Sequence, residues 1–202
     1  PYRQLRYEGE HPPLLAALDM ARFEEPGGWD SEGNVIYLGS FSKLLGPGLR
    51  IGWVVAPKPV IRRMVQAKQG NDLHTSLYVQ MAVHEVVQSG FLEQHVQRLQ
   101  KVYRERRDVM LAAMDRHFPP GVDWTQPQGG LFLWATLPSS VDIMELFEEA
   151  MAHQVAFVPG TPFYAEKGGA PAMRLNFSYP QPEQIETGIQ RLGEALAQKL
   201  GR

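Results

Sequence analysis

The segment between residues 34 and 55 constrains the fold of this chain more than any other. It reads NVIYLGSFSKLLGPGLRIGWVV: an apolar run, two serines and a lysine, a Gly-Pro-Gly turn, an arginine and a second apolar run. Short apolar runs bounded by glycine, proline and serine are typical of strands. We therefore predict strands at 34–39 and 50–55, joined by a loop that presents polar side chains from a rigid scaffold.

The polar residues of this loop are suited to phosphate binding and imine chemistry. In an extended segment, Ser40 and Ser42 point to one face and Lys43 to the other. Two hydroxyls and the planar guanidinium of Arg50 can hold a phosphate, which leaves the lysine amine free to form an imine. A phosphate anchor beside an imine-forming lysine is what pyridoxal phosphate requires of a protein. From these residues alone, an ordinary solvated lysine at the end of a strand stays open as the alternative.

Composition excludes several classes of partner. The net charge of −2 over 202 residues gives no electrostatic basis for binding nucleic acid or an anionic membrane. No run approaches the roughly 18 to 20 apolar residues that a spanning helix needs. The absence of cysteine argues against a disulfide framework and fits a reducing compartment. We expect a globular cytoplasmic protein that binds neither nucleic acid nor membrane.

Hydrophobic periodicity and capping signals predict the remaining elements. Residues 3–33 are interpreted as a surface excursion around one short helix at 13–20. Three helices should follow the second strand: one from Pro57 or Pro59, one N-capped by Ser76 and ended by Gly90, and one at 91–117. After the break at Pro119-Pro-Gly121 the predicted elements are a strand, a helix, two strands and a helix, at 130–135, 141–153, 155–158, 173–177 and 182–200. This order implies a compact α/β unit.

Two further residue groups carry no predicted site. The basic residues at 98–107 alternate with acidic ones on a helix that has a clear apolar face, so we interpret them as a solvated face. The six histidines show no recurrent metal-ligand spacing, so we predict no metal site.

The segment around residue 174 alternates cleanly between apolar and polar side chains. Arg174, Asn176 and Ser178 share one face, and residues 173, 175 and 177 are apolar. From the residues alone, this pattern favours a half-exposed edge strand.

Across nearly its whole length, the chain resembles the fold-type I, class I/II aminotransferases that use pyridoxal phosphate (PLP). Ser-x-Ser-Lys43 followed by Arg50 resembles their Schiff-base segment, and Pro1-Tyr2 resembles the end of their Asp-x-x-Tyr element. Three further segments resemble a strand, a turn and a second strand of the family's small domain: QPQGGLFLW at 126–134, VPGTPF at 158–163 and AMRLNFS at 172–178. QAKQGNDLHT at 66–75 narrows the resemblance to the α-aminoadipate (LysN-type) and kynurenine/aminoadipate subgroup.

The resemblance implies an α/β fold in three parts. Residues 1–90 would be the C-terminal part of the PLP-binding large domain, 91–118 a long interdomain helix, and 119–202 a small α/β C-terminal domain. Members of the family carry about half their length upstream of Pro1, so we expect this chain to be a fragment that is inactive alone. The family's active site lies at a dimer interface. We therefore expect a homodimer in the full-length protein, with 71–75 near the neighbouring cofactor.

The resemblance also implies a role for each candidate residue. Lys43 would hold the cofactor as an internal aldimine and, once released by the amino substrate, would move the proton between substrate Cα and cofactor C4′. Tyr2 would donate to the cofactor's ring oxygen, while Ser40, Ser42 and Arg50 would anchor its phosphate. Arg174 would bind the substrate α-carboxylate. Asn176 is a weaker candidate for substrate binding and is more typical of structural support.

The function that follows is transamination of 2-aminoadipate or a related L-amino acid, with 2-oxoglutarate as amino acceptor. Two alternatives stay open. One is the PLP-binding effector domain of a winged-helix transcription regulator, and the other is a fold-type I lyase that uses the same lysine.

Overall fold

The lysine-bearing segment folds as an antiparallel hairpin within the first of two units of the chain. The structure, a computed structural model, describes residues 2–25, 27–166 and 168–201, and the units are Pro1–Arg98 and Leu99–Arg202. The first unit contains, in chain order, α1 (Leu15–Met20), α2 (Gly28–Glu32), β1 (Tyr37–Ser40), β2 (Gly52–Val55), α3 (Lys58–Asn71) and α4 (Leu77–Gln88), with 3-10 helices at Arg3–Leu5 and Pro47–Leu49.

The helix α5 (Phe91–His117) contains the division between the units. After it, the second unit contains β3 (Asp123–Trp124), β4 (Phe132–Thr136), α6 (Ile143–Ala152), β5 (Val158–Pro159), a 3-10 helix at Thr161–Phe163, β6 (Ala172–Asn176) and α7 (Pro182–Lys199). The predicted helices and strands occur in the predicted order, and α2 and β3 are present in addition to them. The assignment of 1–90 and 119–202 to a large and a small domain stays a prediction.

Close packing of an indole on a glycine shapes the hairpin. Strands β1 and β2 pair from Tyr37 opposite Val55 to Ser40 opposite Gly52. A Cβ at Gly39 would lie only 2.1 Å from the Trp53 ring, so only glycine fits there. The same indole packs against Phe41 with a centroid distance of 4.8 Å. Trp53 therefore covers both the end of β1 and the start of the lysine loop.

A buried carboxylate organises the segment before the hairpin. Asp19, 5% exposed, accepts hydrogen bonds from Trp29 Nε1 at 2.9 Å and from the backbone amides of Asn34 at 2.7 Å and Val35 at 3.1 Å. The predicted surface excursion is therefore only partly right. Its helix at 13–20 is present as α1, but the segment also contains α2 and a buried polar network.

Helices α3 and α4 begin close to their predicted starts, and α4 also ends close to its predicted end. Pro57 is the N-cap of α3, and Ser76 holds the N-cap position of α4, although its side chain makes no capping hydrogen bond. Gly90, with φ of +73°, separates α4 from α5. This left-handed conformation favours glycine and explains why the helical pattern breaks there.

An antiparallel sheet of four strands builds the second unit, in the order β3-β4-β6-β5. Leu133 from β4, Met173 from β6 and Phe177 are fully buried, and α7 adds the fully buried Leu192. The alternation predicted around residue 174 is confirmed. The edge-strand interpretation is wrong, because β6 lies between β4 and β5.

One basic residue of the 98–107 stretch departs from its predicted solvated face. Arg98, Lys101 and Arg104 are exposed, but Arg107 is 5% exposed and donates to the Pro127 carbonyl at 2.7 Å. The buried guanidinium also donates to Asp108 Oδ1 through Nε at 2.8 Å and Nη2 at 2.6 Å, and its bond to the Pro127 carbonyl ties α5 to the loop before β4.

Neither a membrane-spanning helix nor a metal cluster occurs within the residues that the structure describes. No helix there is long and apolar enough to cross a bilayer. No group of three or more potential metal-ligating side chains is found in the same ranges.

Candidate cofactor and substrate site

Lys43 lies in a tight turn directly after β1. The Phe41 carbonyl accepts hydrogen bonds from the amides of Leu44 at 3.1 Å, Leu45 at 2.8 Å and Gly46 at 3.3 Å. These three bonds end the extended conformation, so the predicted alternation of Ser40 and Ser42 against Lys43 does not apply beyond Ser40. The turn leaves the Lys43 side chain exposed, as an amine that reacts with an external aldehyde must be.

The two serines differ in their surroundings. Ser40 Oγ accepts a hydrogen bond from the Ser42 amide at 3.0 Å and donates to the Ile51 carbonyl at 3.4 Å. It therefore braces the loop between the strands. Within the described part of the chain, the half-buried Ser42 hydroxyl makes no hydrogen bond. Both its O–H donor and its acceptor lone pairs can therefore bind a ligand.

Arg50 adopts the left-handed backbone conformation, with φ of 54° and ψ of 37°. This conformation is uncommon for a residue with a side chain and is retained only where the surroundings enforce it. Here the turn that begins at Gly46 enforces it, because the Pro47 carbonyl accepts both the Arg50 amide at 3.4 Å and its Nη1 at 3.0 Å. The exposed guanidinium is thus held close to the loop that carries Lys43.

A cavity of about 220 Å³ lies beside the hairpin in the first unit. Its lining includes Ser40 and Leu44 from the lysine loop and Trp53 from β2, together with Arg3 and Gln4. Tyr2 is exposed just before the first 3-10 helix and is not among the lining residues. Ser40 is thus a predicted site residue that lines this cavity, whereas Ser42, Lys43 and Arg50 belong to the same hairpin loop but are not among the lining residues.

Asp19 is a residue of this region that sequence reasoning missed. Its hydrogen bonds to Asn34 and Val35 fix the chain immediately before β1. The Asn34 amide is the main reason that the pKa of the Asp19 carboxyl lies below its ordinary value, and Trp29 and Val35 add to the effect. A single Asp near the end of a short helix is usually exposed, and its burial here depends on partners 10 to 16 residues away, which explains the omission.

In the second unit, Arg174 lies on β6 opposite Trp134 of β4 and Val158 of β5. Its Cζ lies 4.2 Å from the centroid of the Phe132 ring and 4.8 Å from that of Phe163. No carboxylate of the described residues forms an ion pair with it. A half-buried guanidinium in contact with aromatic rings retains its hydrogen-bond donors for an external acceptor.

Asn176, the weaker candidate for substrate binding, makes hydrogen bonds within the protein. Its Oδ1 accepts hydrogen bonds from the Ser178 amide and from Ser178 Oγ, both at 2.8 Å. Arg106 of α5 donates to the Ser178 carbonyl. Asn176 therefore closes the turn after β6, and its amide nitrogen is the part left for a ligand.

Comparison with known proteins decides the family. The sequence model of the family described as aminotransferase class I and II matches residues 15–192. The chain belongs to this family. The predicted resemblance and the predicted α/β fold are both confirmed.

Individual relatives agree with this assignment. The chain is 43% identical over 200 residues to aromatic-amino-acid aminotransferase 1 of Thermococcus litoralis, covering 99% of this chain and 45% of that protein. It is 48% identical over 162 residues to 2-aminoadipate transaminase of Thermus thermophilus, covering 80% and 41%. The crystal structure of Pyrococcus horikoshii kynurenine aminotransferase in complex with PMP aligns with a TM-score of 0.90 at 44% identity, covering 99% and 47%.

The chain spans about half the length of the curated relatives it matches. A less similar relative is an HTH-type transcriptional regulator of Bacillus subtilis, YdfD, 34% identical over 173 residues and covering 86% of this chain and 36% of that protein. The relatives of this chain thus include proteins named as enzymes and as regulators.

Proposed function

We propose that the protein containing this chain is a PLP-dependent aminotransferase, and that Lys43 is the residue bonded covalently to the cofactor. The observation that carries the proposal is the exposed Lys43 in a turn between Ser40 and Arg50, in a chain that belongs to the aminotransferase class I and II family.

The donor set of the hairpin fits a phosphorylated aldehyde. Ser42 and Arg50 would bind the phosphate, Ser42 through a hydroxyl that has no partner in the described residues and Arg50 through its guanidinium fork. Ser40 would add to them, and its internal hydrogen bonds hold the loop in shape. Tyr2 would contact the ring oxygen.

In the mechanism, Lys43 and Arg174 have separate tasks. Arg174 would bind the substrate carboxylate and so orient the Cα–H bond. The Lys43 Nζ would act as general base toward the Cα proton and then return that proton as general acid. Bound PLP supplies an electron sink for the pair left on Cα. Phosphate contacts by Ser42 and Arg50 would hold the cofactor so that the substrate Cα stays close to Lys43 Nζ.

We further propose 2-aminoadipate or a related L-amino acid as amino donor and 2-oxoglutarate as acceptor. The 48% identity to 2-aminoadipate transaminase supports the donor class, and the 66–75 segment supports the same subgroup. We also propose that the full-length protein is a cytoplasmic homodimer, in which 71–75 approaches the neighbouring cofactor.

Borohydride reduction tests the role of the lysine directly. Reduction of the full-length holoenzyme followed by peptide mapping should place the cofactor on Lys43. Lys43→Ala should lose both label and turnover, and Lys43→Arg should also be inactive because a guanidinium stays protonated and forms no imine. Lys58→Ala is the control, since Lys58 is an exposed lysine of the same unit. Cofactor label on a different lysine in the wild-type protein would refute the assignment.

A second candidate is a PLP-binding effector domain of a transcription regulator, which the similarity to YdfD favours. Such a domain would bind an amino acid without releasing an oxo acid. Incubating the full-length holoenzyme with 2-aminoadipate and 2-oxoglutarate separates the two, since only the aminotransferase forms glutamate. If an amino acid panel yields pyruvate or ammonia instead, the protein is a lyase.

A further inference from the structure

The aromatic surroundings of Arg174 suggest how its guanidinium is oriented. Its Cζ lies over the rings of Phe132 and Phe163, at 4.2 and 4.8 Å from their centroids. Cations are attracted to the faces of aromatic rings, and this attraction strengthens where water is excluded. Arg174 is half-buried, and no carboxylate in the described ranges pairs with it. The Arg174 guanidinium is therefore in contact with aromatic rings and not with a carboxylate of the described residues.

Backbone hydrogen bonds hold the turn that carries Phe163, and the residue itself is 50% exposed. The Gly160 amide donates to the Ala172 carbonyl at 2.7 Å, and the Phe163 amide donates to the Gly160 carbonyl at 2.9 Å. The Phe163 ring packs edge-to-face on Trp134, with a centroid distance of 5.6 Å and an angle of 90°. Trp134 is also the cross-strand neighbour of Arg174.

Phe132 is fixed as the first residue of β4. It pairs with Asn176 of β6 in the same register that pairs Trp134 with Arg174. The side chains of Phe132 and Arg174 thus come from adjacent positions on the same face of neighbouring strands.

We propose that Phe132 and Phe163 are positioning residues that hold Arg174 ready for a carboxylate. Rings in contact with Cζ restrict rotation of the side chain and block approach to the central carbon. The peripheral N–H groups stay accessible, and a planar carboxylate can accept two of them in parallel. Because the guanidinium is ordered before binding, less conformational entropy is lost when the ligand arrives. This inference rests on the proposed function, in which Arg174 binds the substrate carboxylate.

Adipate binding to the full-length holoenzyme tests the inference without turnover. Adipate carries the carboxylates of 2-aminoadipate but has no amine to react with the cofactor. Calorimetry should show that Phe163→Leu and Phe132→Leu each raise the adipate Kd roughly 3- to 30-fold. Phe163→Tyr keeps the aromatic face and should restore binding close to the wild-type value. Phe147→Leu is the matched control, since the Phe147 ring packs on Phe157 instead.

The kinetic signature should match a role in positioning. The Leu variants should raise KM for both the amino acid and the oxo acid while cofactor content stays unchanged and kcat changes less than about twofold. If Arg174→Ala weakens adipate binding but neither Leu variant does, the positioning inference is wrong and the role of Arg174 stands. If Arg174→Ala leaves adipate binding unchanged, the role of Arg174 in the proposed function is wrong.

Gly160→Ala provides a second route that keeps both rings intact. A Cβ at Gly160 would lie 2.9 Å from Ala172 Cβ and from Trp134 Cη2, so the contacts of the Phe163 turn with β6 and with the Trp134 ring must change. We expect a weaker affinity for adipate in this variant, with the cofactor retained. Unchanged adipate affinity in a Gly160→Ala variant that folds and binds cofactor would contradict the inference.

Discussion

Arg50 of the first unit and Arg174 of the second are both proposed to bind an anionic group, and their environments differ. Arg50 is exposed, and its Nη1 is held by a carbonyl of its own turn, whereas Arg174 is half-buried against two rings. The proposed function assigns phosphate to the first and carboxylate to the second. The two substitutions should therefore have separable effects.

Arg50→Ala should weaken cofactor retention, because a charged hydrogen bond to phosphate contributes about 1.5–3 kcal/mol. By contrast, Arg174→Ala should keep the cofactor and raise KM for both substrates. Equilibrium dialysis of the cofactor and steady-state kinetics on the full-length protein measure the two effects. Equal loss of cofactor in both variants would contradict this division of roles.

At the residue scale, the sequence indicates which side chains are candidates for the site when they belong to a motif. It does not indicate burial or hydrogen bonds that depend on residues distant in the chain. Lys43, Arg50 and Arg174 follow strand patterns and recurrent spacings. The burial of Arg107 depends on the Pro127 carbonyl, 20 residues away, which no local pattern reveals. Ser40 was predicted as a phosphate ligand, and its hydrogen bonds within the hairpin became apparent only from the register of β1 and β2.

Among the elements, α5 was predicted most accurately because the residues that end the helix lie directly before and after it in the sequence. Gly90 breaks the helical pattern before it and Pro119-Pro-Gly121 breaks it afterwards, with a long apolar stripe between. Strand β3, by contrast, is two residues long and exists only through its pairing with β4. Helix α2 is similarly short and carries the buried Trp29, whose Nε1 donates to Asp19 ten residues earlier in the chain.

The link from Asp19 to Trp29 and to the start of β1 should make the first unit sensitive to acid. The pKa of Asp19 is lowered in the folded state, so its stabilising effect is present above the ordinary carboxyl pKa of about 3.9. That effect is lost as the pH falls below this value toward the lowered pKa, because the protonated carboxyl loses its charge-assisted bonds.

Asp19→Asn tests this expectation. The amide cannot reproduce all the acceptor bonds of the carboxylate, so the variant should unfold at a lower temperature at pH 7. Its melting temperature should also fall less between pH 5 and pH 3 than that of the wild type. Thermal unfolding monitored by tryptophan fluorescence provides the measurement. An equal pH dependence in both proteins would show that Asp19 does not govern acid stability.

At the scale of the whole molecule, the two units differ in how completely they bury their strands. In the second unit, strands β4 and β6 contribute Leu133, Ala135 and Met173 to a core with no solvent exposure. In the first unit, the hairpin leaves Leu38 58% exposed and Trp53 38% exposed. Because local stability follows buried apolar surface, the second unit should carry most of the stability of the 202-residue chain.

The same Leu-to-Ala substitution in each unit compares how much a buried and an exposed leucine contribute to stability. Leu192 of α7 has no solvent exposure, so Leu192→Ala should lower the free energy of unfolding of the second unit by about 2–5 kcal/mol. Leu38→Ala removes the same atoms from an exposed position on β1 and should change the stability of the first unit by less than about 0.5 kcal/mol. Native-state hydrogen exchange in the 202-residue chain reports on both units separately, since amides of β4–β6 and of β1–β2 can be followed in one sample.

The amides of β4 and β6 should also exchange at least about tenfold more slowly than those of β1 and β2. If Leu38→Ala costs as much as Leu192→Ala, the hairpin face is covered in solution, for example by self-association through its apolar side chains, and the difference in stability between the units would not follow from burial within one chain.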